Sequence, residues 1–208
     1  MTPISMKLLL DTDVFCKLQL AGLLDEAVGA LAADLAECGR LAALPHMLRR
    51  GRLRKMHGAE ACDALAEIAQ ALPVLPQPSD EWLDKLVPIE DVDVGEAQLF
   101  AAAAEFGLVV VSGDKRALRA LKDVDGFAPA LAGRIVVLEA VLLALLDQTG
   151  TEALRERIGP IAAVDSVVRI SFSSESEDPR VALVSYFESL RAELKPLVLW
   201  DPRAGGPA

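Results

Sequence analysis

The sequence predicts an α/β fold with a mainly parallel sheet over residues 6–148. Three short apolar runs have the composition of buried strands, namely Leu8–Leu10, Leu108–Ser112 and Arg134–Leu138. Longer segments with apolar residues at helical spacing separate them, and strands that alternate with helices are typical of parallel sheets. The run Leu108–Ser112 is apolar at nearly every position, as expected of a central strand that is covered on both faces.

The composition fits one globular domain with an appendage, or two small domains. The 208 residues are 52% hydrophobic and 25% charged, and the formal net charge is −10 at pH 7. A chain this acidic does not coat nucleic acid through bulk charge, although a local basic patch is compatible with it. The three cysteines have no metal-binding spacing, and neither a secretory signal nor a membrane-spanning run is evident. We therefore expect a cytoplasmic protein with no membrane association.

The first ninety residues predict one strand followed by a series of helices. The strand Leu8–Leu10 leads into apolar residues at helical spacing, a pattern that Gly22 weakens and Gly39 ends. Three prolines in segment 72–78 indicate an edge strand or an extended connector, and Ser79 is suited to cap the next helix. The predicted helices of this part are Val14–Leu24, Leu24–Cys38, Leu41–Met56, Ala59–Ala71 and Glu81–Leu86.

The next sixty residues predict the centre of the sheet. A helix starts with Asp93 and Glu96 three residues apart, and its apolar stripe stops at Gly107. The strand Leu108–Ser112 follows, and Asp114 stands just after its end. The remaining predicted elements are the helix Lys115–Leu121, the strand Arg134–Leu138 and the helix Glu139–Leu146.

A C-terminal α+β extension is predicted to begin after the Thr149-Gly150-Thr151 boundary, to run over residues 151–200 and to pack on the α/β domain. The tail at 201–208 is rich in glycine and proline and is expected to be disordered. The predicted elements of the extension are the helix Glu152–Ile158, the strand Ser166–Ser171, the helix Arg180–Leu194 and the strand Leu197–Trp200.

Two acids follow the first strand directly. In open α/β sheets, ligands bind outside the carboxyl ends of the strands, which is where Asp11 and Asp13 fall. If the backbone stays extended, the two carboxylates face one side and Thr12 faces the other. Two charges about 4 Å apart repel by roughly 4 kcal/mol at an effective dielectric near 20, which favours a cation, a proton or abundant water. The alternative is a solvated turn in which an aspartate caps the next helix.

Further acids stand at the start of the Ala-rich helix and after the apolar strand. Asp93 and Glu96 have the spacing of a capping box, which explains them without a functional role. A helix start nevertheless commonly faces a cleft, so Glu96 is a candidate for both roles. Ser112 and Asp114 follow the second strand much as Asp11 follows the first.

A single dense positive run interrupts the acidic chain. It is either a solvated helix face or a set of contacts to a phosphate backbone, which arginine and lysine position without reading the base sequence. Lys115 and Arg116 present the same two alternatives. His46 and His57 flank the run with no acid or cysteine at ligand spacing, which favours surface residues over metal ligands. The run consists of Arg49, Arg50, Arg52, Arg54 and Lys55.

Three segments, taken in order, resemble the PIN-domain family over residues 6–146. They are Leu-Leu-Leu-Asp11-Thr-Asp13-Val, then Asp93-Val-Gly-Glu96-Ala-Gln at the start of an Ala-rich helix, then Val-Val-Val-Ser-Gly-Asp114-Lys-Arg. The resemblance implies a three-layer α/β/α fold and a cluster of three or four acids that binds Mg²⁺ or Mn²⁺. It also implies metal-dependent hydrolysis of phosphodiester bonds, usually in RNA and often by toxins of toxin–antitoxin pairs.

The same resemblance assigns roles to individual residues. Asp11, Glu96 and Asp114 match the catalytic, metal-binding acids of the family. Asp13 stands where the family often has a small polar residue, so we expect it to enlarge the metal-binding cluster. Hard oxygen ligands of this kind suit Mg²⁺. The candidates for supporting these ligands are Thr12, Asp93 and Ser112, and the candidates for RNA contacts are Arg49, Arg50, Arg52, Lys115 and Arg116.

The chain departs from the family where a further acid is usual, on a helix between the first strand and the Ala-rich helix. The corresponding segment, Met47–Arg50, has none, and only shifted helices would let Glu60 or Glu67 replace it. A PIN-like module that binds a partner without cutting RNA is therefore the second hypothesis. The third is a haloacid-dehalogenase-like phosphatase, with Asp11 as nucleophile and Asp13 as general acid. A protein partner of the antitoxin kind and a homodimer are both open.

Overall fold

A four-stranded parallel sheet forms the centre of the protein, whose computed structural model describes residues 6–173, 176 and 178–204. The strands are β1 (Leu8–Leu10), β2 (Cys38–Gly39), β3 (Val109–Ser112) and β4 (Ile135–Val137). Their spatial order is β2-β1-β3-β4, and every pairing is parallel. Helices flank the sheet, which confirms the predicted α/β class with its three-layer arrangement.

Every residue of the four strands is buried, as the apolar runs predicted. Because helices cover the sheet, no strand alternates polar with apolar residues. The valines of β3 and β4 are β-branched, a shape that packs well on a pleated surface. Ser112 is the one polar residue among these strand positions, and it lies where β3 leaves the sheet.

Most of the helices have the periodicity that predicted them. The long helix that starts after Asp93 ends at Gly107, which adopts a left-handed φ of 65° that glycine accepts without strain. The α-helices of the described residues are α1 (Thr12–Leu20), α2 (Leu24–Ala30), α3 (Leu44–Arg49), α4 (Arg52–His57), α5 (Ala59–Ala71), α6 (Asp80–Leu83), α7 (Val94–Phe106), α8 (Lys115–Leu121), α9 (Phe127–Ala130), α10 (Leu138–Thr149), α11 (Thr151–Arg157), α12 (Gly159–Val164), α13 (Ser166–Ser171) and α14 (Pro179–Glu193).

The prediction of one helix over Leu24–Cys38 is wrong beyond Ala30. A 3-10 turn at Leu35–Glu37 leads directly into β2, which contains Gly39, the residue expected to stop the helix. A Cβ at this glycine would lie 2.7 Å from the side chain of Leu9. The glycine therefore permits the close pairing of β2 with β1, a tertiary requirement that local sequence does not reveal.

The prediction of a strand over Ser166–Ser171 is also wrong, because this segment is helix α13. The Asp165 side chain caps it by accepting hydrogen bonds from the backbone N–H groups of Val167 and Val168. Of the predicted strand Leu197–Trp200, Leu199 forms a single parallel bridge with Ile135. Residues 201–204, expected in a disordered tail, include the 3-10 turn Pro202–Ala204, while 205–208 lie outside the described residues.

The extension that follows α10 contributes buried side chains to the protein core. Helix α14 packs along α10, and α12 packs along α1. Ile161, Leu183 and Phe187 are fully buried in these contacts. The Arg157 guanidinium also pairs with Glu26 of α2 at 2.8 Å. None of the helices in the described ranges is both long and apolar enough to cross a membrane.

The strand order places a crevice beside the ends of β1 and β3. The chain leaves β1 for β2 on one side and later enters β3 on the other, so β1 and β3 flank the point at which the strand order reverses. Ligands of open α/β sheets bind outside the carboxyl ends of strands at such points. Leu10 lies opposite Val111, and the Asp11 N–H donates to the Val111 carbonyl at 3.0 Å. The acids that follow the two strands therefore share one edge.

Replacement of Leu183 in α14 with alanine tests whether the extension belongs to the same cooperative core. Leu183 is fully buried, so the Leu183→Ala change is expected to lower the free energy of unfolding by about 2–5 kcal/mol. Val181→Ala, in the same helix, is the control because Val181 is 68% exposed, and we expect a change within about 0.5 kcal/mol. Urea denaturation measures both. Equal values for the two variants would contradict the packing described above.

Candidate functional site

An open cleft of about 960 Å³ lies at the carboxyl edge of the sheet, beside the ends of β1 and β3. Carboxylates from four separate segments line it, together with basic and apolar residues at its sides. Its acids are Asp11, Asp13, Asp93, Glu96, Asp114 and Asp165, its basic residues are Arg52, Lys115 and Arg116, and its large apolar residues include Met47, Leu53, Met56, Val94 and Val164.

Asp11 lies at the bottom of the cleft, between the end of β1 and the first turn of α1. Burial, together with the negative charges of Asp13 and Asp93, raises the pKa of its carboxyl to about 6. The backbone N–H groups of Thr12 and Gly113 offset part of this rise by hydrogen bonding to the carboxylate. Asp11 is thus a buried acid held in place by backbone donors from both strand ends.

Glu96 performs the capping role and also faces the cleft. Its backbone N–H donates to Asp93 Oδ1 at 2.8 Å, and its Oε2 accepts from the Asp93 N–H at 2.7 Å, which completes a capping box. The side chain is nevertheless buried in the cleft wall. Burial, together with the charges of Asp93 and Asp114, raises the pKa of Glu96 above its ordinary value despite the Asp93 amide.

Asp114 caps α8 and contacts Glu96 across the crevice. Its Oδ1 accepts from the backbone N–H groups of Arg116 and Ala117 at 2.8 and 3.1 Å. Although burial alone would raise it, these donors and the Arg116 guanidinium keep the pKa of Asp114 below its ordinary value. Its carboxyl is also hydrogen-bonded to that of Glu96. A hydrogen bond between two carboxyl groups requires a proton, and this contact raises the pKa of Glu96 while it lowers that of Asp114.

Asp13 is not arranged as an extended backbone would predict. Helix α1 begins at Thr12, immediately after Asp11, so Asp13 lies in its first turn and is 55% exposed. Its Oδ2 pairs with Lys17 Nζ, one helical turn further on, at 2.6 Å. The local backbone therefore gives the two acids different surroundings, one buried and one paired with a cation.

Lys17 and Asp165 are two cleft-side residues that our sequence reasoning missed. The Lys17 ammonium is buried and also pairs with Asp165 of the extension at 3.0 Å. Burial would lower the pKa of Lys17, but the hydrogen bonds and charges of Asp13 and Asp165 outweigh it and raise the pKa above its ordinary value. The i,i+4 spacing of Asp13 and Lys17 was a usable signal. Nothing in the local sequence indicated the third member, 148 positions away.

The expected supporting residues contribute in different ways. Ser112 Oγ accepts from the Asp114 N–H at 3.3 Å, so it helps to fix the turn that carries this acid. Asp93 supports Glu96 through the capping box. Thr12 lines the cleft, but its buried Oγ1 has no hydrogen-bond partner among the described residues.

The candidate RNA-contact residues divide into paired and exposed groups. Lys115 Nζ pairs with buried Glu139, and Arg116 pairs with Asp114 at 3.3 Å. Arg49 lies against the side-chain amide of Gln70, and its guanidinium donates to the amide oxygen at 2.7 Å when that amide is oriented to accept. Arg50 and Arg52 are exposed, and of the run 49–55 only Arg52 and Leu53 line the cleft.

The segment where a further acid was expected supplies no carboxylate to the cleft. Met47 of α3 and Arg52 of α4 line this side instead. Glu60 and Glu67 lie on α5 and do not line the cleft, so they do not replace it. Two further acids line the cleft elsewhere. Asp93 contacts Glu96 through the capping box, and Asp13 lies in the first turn of α1.

The chemistry of the donor set fits a hard divalent cation. Asp11, Glu96 and Asp114 present carboxyl oxygens, and two of the three have raised pKa values because burial and like charge disfavour their ionised forms. As the side chains stand, no three acid, histidine or cysteine groups within the described residues are arranged to hold an ion. Binding a cation would require the proton between Glu96 and Asp114 to leave and the carboxylates to move together.

Comparisons with protein-family models, with curated proteins and with solved structures each find no match to this chain.

The raised pKa values predict that the cation-free protein loses stability as the pH rises. Between pH 3.8, the ordinary pKa of Asp11, and about 6, its pKa in the folded protein, the native state keeps a proton that the unfolded chain releases. The free energy of unfolding is therefore expected to fall in this range, by at most about 1.4 kcal/mol per pH unit for each such carboxyl. The raised pKa of Glu96 also makes the free energy of unfolding fall as the pH rises above 4.5, its ordinary pKa.

Urea denaturation in the presence of a chelator, at several pH values, measures this slope. Asp11→Asn replaces the carboxyl with an amide of similar shape that does not titrate, and it should make the slope shallower. Asp63→Asn is the control, because Asp63 is an exposed residue of α5 that pairs with Arg54 of α4. Replacing this carboxyl should leave the slope of the free energy of unfolding between pH 4 and 6 unchanged. An Asp11→Asn protein with an unchanged slope would contradict the raised pKa.

Proposed function

We propose that this protein is a metal-dependent ribonuclease that hydrolyses RNA phosphodiester bonds. The observation that carries the proposal is the convergence of Asp11, Glu96 and Asp114 on one cleft at the carboxyl edge of the sheet. Burial and neighbouring negative charges raise the pKa values of Asp11 and Glu96, and a bound cation would favour their ionised forms, which supports the proposal. The resemblance to PIN domains, which rests on the sequence alone, supports the same reading.

The three acids would hold Mg²⁺ or Mn²⁺ through their carboxylate oxygens, with Asp93 supporting Glu96. When bound, the cation supplies an acidified water and a positive charge beside the scissile phosphate. Asp11 is held by backbone amides, and Asp114 is fixed by the first turn of α8. Backbone contacts therefore set the position of these two acids at the cleft, and their carboxylates would move together when a cation binds.

The sides of the cleft support a polynucleotide as substrate. Arg52 and Arg116 lie at its edges and are positioned to bind phosphates on either side of the acidic floor. Met47, Leu53 and Met56 form an apolar surface beside Arg52, against which unpaired bases would pack. A charged backbone next to apolar bases is characteristic of single-stranded RNA, so we propose this form as the substrate.

A binding module without nuclease activity is the second candidate, and one observation favours it. The cleft wall contributed by α3 and α4 contains Met47 and Arg52 where the family usually has an acid. Such a module would bind RNA or a protein partner, of the antitoxin kind or a second copy.

The three cysteines are free and buried, which supports the proposal of a reducing, cytoplasmic compartment.

The phosphatase hypothesis fits the geometry less well. It requires Asp13 to stand free as a general acid next to Asp11. The Asp13 carboxylate is instead paired with the Lys17 ammonium at 2.6 Å on the first turn of a helix. We therefore favour hydrolysis of a phosphodiester over covalent phosphoryl transfer to Asp11.

Cleavage of labelled single-stranded RNAs of varied sequence, with Mn²⁺ present, tests the proposed activity. Asp11→Asn and Asp114→Asn each remove a ligand charge and are expected to reduce the cleavage rate at least about 100-fold, because even indirect supports of a metal site are worth 10- to 100-fold. Asp63→Asn is the matched control and should cleave at the rate of the unmodified protein, since Asp63 lies outside the cleft.

Two other results would redirect the assignment. Tight RNA or protein binding with no Mn²⁺-dependent cleavage would favour the binding module. Turnover of a small phosphomonoester, with phosphate trapped on Asp11, would establish the phosphatase and exclude both other candidates.

The salt dependence of RNA binding tests the basic edge of the cleft. In an Asp114→Asn background, which should not cleave, Arg52→Gln is expected to reduce the slope of log affinity against log salt by about 0.7, the value for one single-strand phosphate contact. Arg54→Gln is the control, because Arg54 is already paired with Asp63 at 2.5 Å. Fluorescence anisotropy at several KCl concentrations gives both slopes. If the two variants have the same slope, Arg52 is not a phosphate contact.

A further inference from the structure

Lys17 places a buried positive charge behind two acids that line the cleft, although it does not itself line the cleft. Its ammonium lies between two carboxylates that line the cleft, with Nζ at 2.6 Å from Asp13 Oδ2 and 3.0 Å from Asp165 Oδ2. The side chain is only 9% exposed, so its position is set by protein contacts rather than by water.

Both partners of this ammonium are held in place by helix starts. Asp13 is in the first turn of α1, and Asp165 caps α13 with its other oxygen, which accepts from the N–H groups of Val167 and Val168 at 3.1 and 3.2 Å. Burying a lone ammonium is strongly unfavourable, so Lys17 keeps this place only while both carboxylates remain. The three groups form one rigid unit.

The acids on the two sides of the cleft therefore have different positively charged partners. On one side, Asp114 accepts from backbone N–H groups and pairs with the exposed Arg116 at 3.3 Å, while Asp11 and Glu96 form no ion pair within the described residues. On the other side, the single Lys17 ammonium pairs with both Asp13 and Asp165, which leaves this group of three with a net charge of −1. Two-metal sites hold their ions about 3.5–4 Å apart and need carboxylates available to both. The second side has no carboxylate free for that purpose.

We propose that Lys17 takes the place of a second divalent cation, so that the cleft binds one metal ion through Asp11, Glu96 and Asp114. This inference rests on the proposed metal-dependent function and specifies how many ions it uses. It also gives the C-terminal extension a role, because Asp165 positions the Lys17 ammonium. Asp13 is then a partner of Lys17 and not a ligand of the ion.

Removal of the ammonium should create a second site. The oxygens of Asp13 and Asp165 lie on either side of Nζ, and a divalent ion with oxygen contacts of about 2.0–2.6 Å would fit between them. We expect Mn²⁺ titrations followed by electron paramagnetic resonance of free Mn²⁺ to give one bound ion for the unmodified protein. Lys17→Gln should bind two, which doubles the Mn²⁺ bound at saturation, and Lys17→Arg should restore one.

Glu26→Gln is the matched control for a purely structural role. It breaks the Arg157–Glu26 pair, which also joins the extension to the α/β domain but lies away from the cleft. We expect this variant to bind one ion. If Lys17 only tethered the extension, Glu26→Gln and Lys17→Gln would change Mn²⁺ binding alike, and that result would overturn the proposal.

The unmodified protein tests the proposal without any variant. Two tightly bound Mn²⁺ ions in it would overturn the role of Lys17 while leaving the proposed nuclease intact. One ion in both the unmodified protein and a folded Lys17→Gln variant, with folding checked by circular dichroism, would also overturn it. No bound Mn²⁺ in any of these proteins would instead remove the proposed metal-dependent function itself.

Discussion

The parallel pairing of β1 with β3 is the constraint on which the candidate site depends. Leu10 and Val111 are partners in this register, so the two chains leave the sheet side by side and carry Asp11 and Asp114 with them. A shift of one residue would turn every side chain of β1 to the opposite face and bury polar groups in the core. The apolar packing of the sheet thus fixes the places of two acids that are repelled by their neighbours, Asp11 by Asp13 and Asp93 and Asp114 by Glu96. The hydrophobic core supplies the energy that holds them there.

This repulsion is offset by three different means within one cleft. Backbone N–H groups at the strand ends and at the start of α8 donate to Asp11 and Asp114. The carboxyls of Asp114 and Glu96 are hydrogen-bonded, which requires a shared proton, and the Lys17 ammonium pairs with Asp13. A cation would replace the proton more readily than the ammonium, because the ammonium is covalently attached.

The sequence allowed the sheet and the acids to be predicted, since both depend on local patterns. Leu8–Leu10 and Val109–Ser112 are apolar runs that end in or near an acid, and the capping box of Asp93 with Glu96 marks a helix start. The two-residue strand β2 could not be found in this way, because its pairing depends on the close approach of Gly39 to Leu9.

Contacts that local sequence does not reveal also explain why the strand predicted in the extension is wrong. Ser166–Ser171 has the valines of a strand, yet Asp165 supplies the hydrogen bonds that start a helix, and burial of Val168 and Ser171 at a spacing of three residues maintains it. The pairing of Lys17 with Asp165 joins distant parts of the chain and has no signature at either position. Acids that follow recognisable strands or helix starts could be assigned, and the pairing of Lys17 with Asp165 across 148 positions could not.

The contact between Lys17 and Asp165 has an evolutionary consequence. A buried ammonium and the acid that holds it are each unfavourable alone, so neither is retained easily once the other is lost. A descendant that shed residues 151–200 would also have to replace Lys17, and one that replaced Lys17 would no longer gain from keeping Asp165. Positions 17 and 165 are therefore expected to co-vary among related sequences, and the appended segment is inherited together with a charge on the first helix.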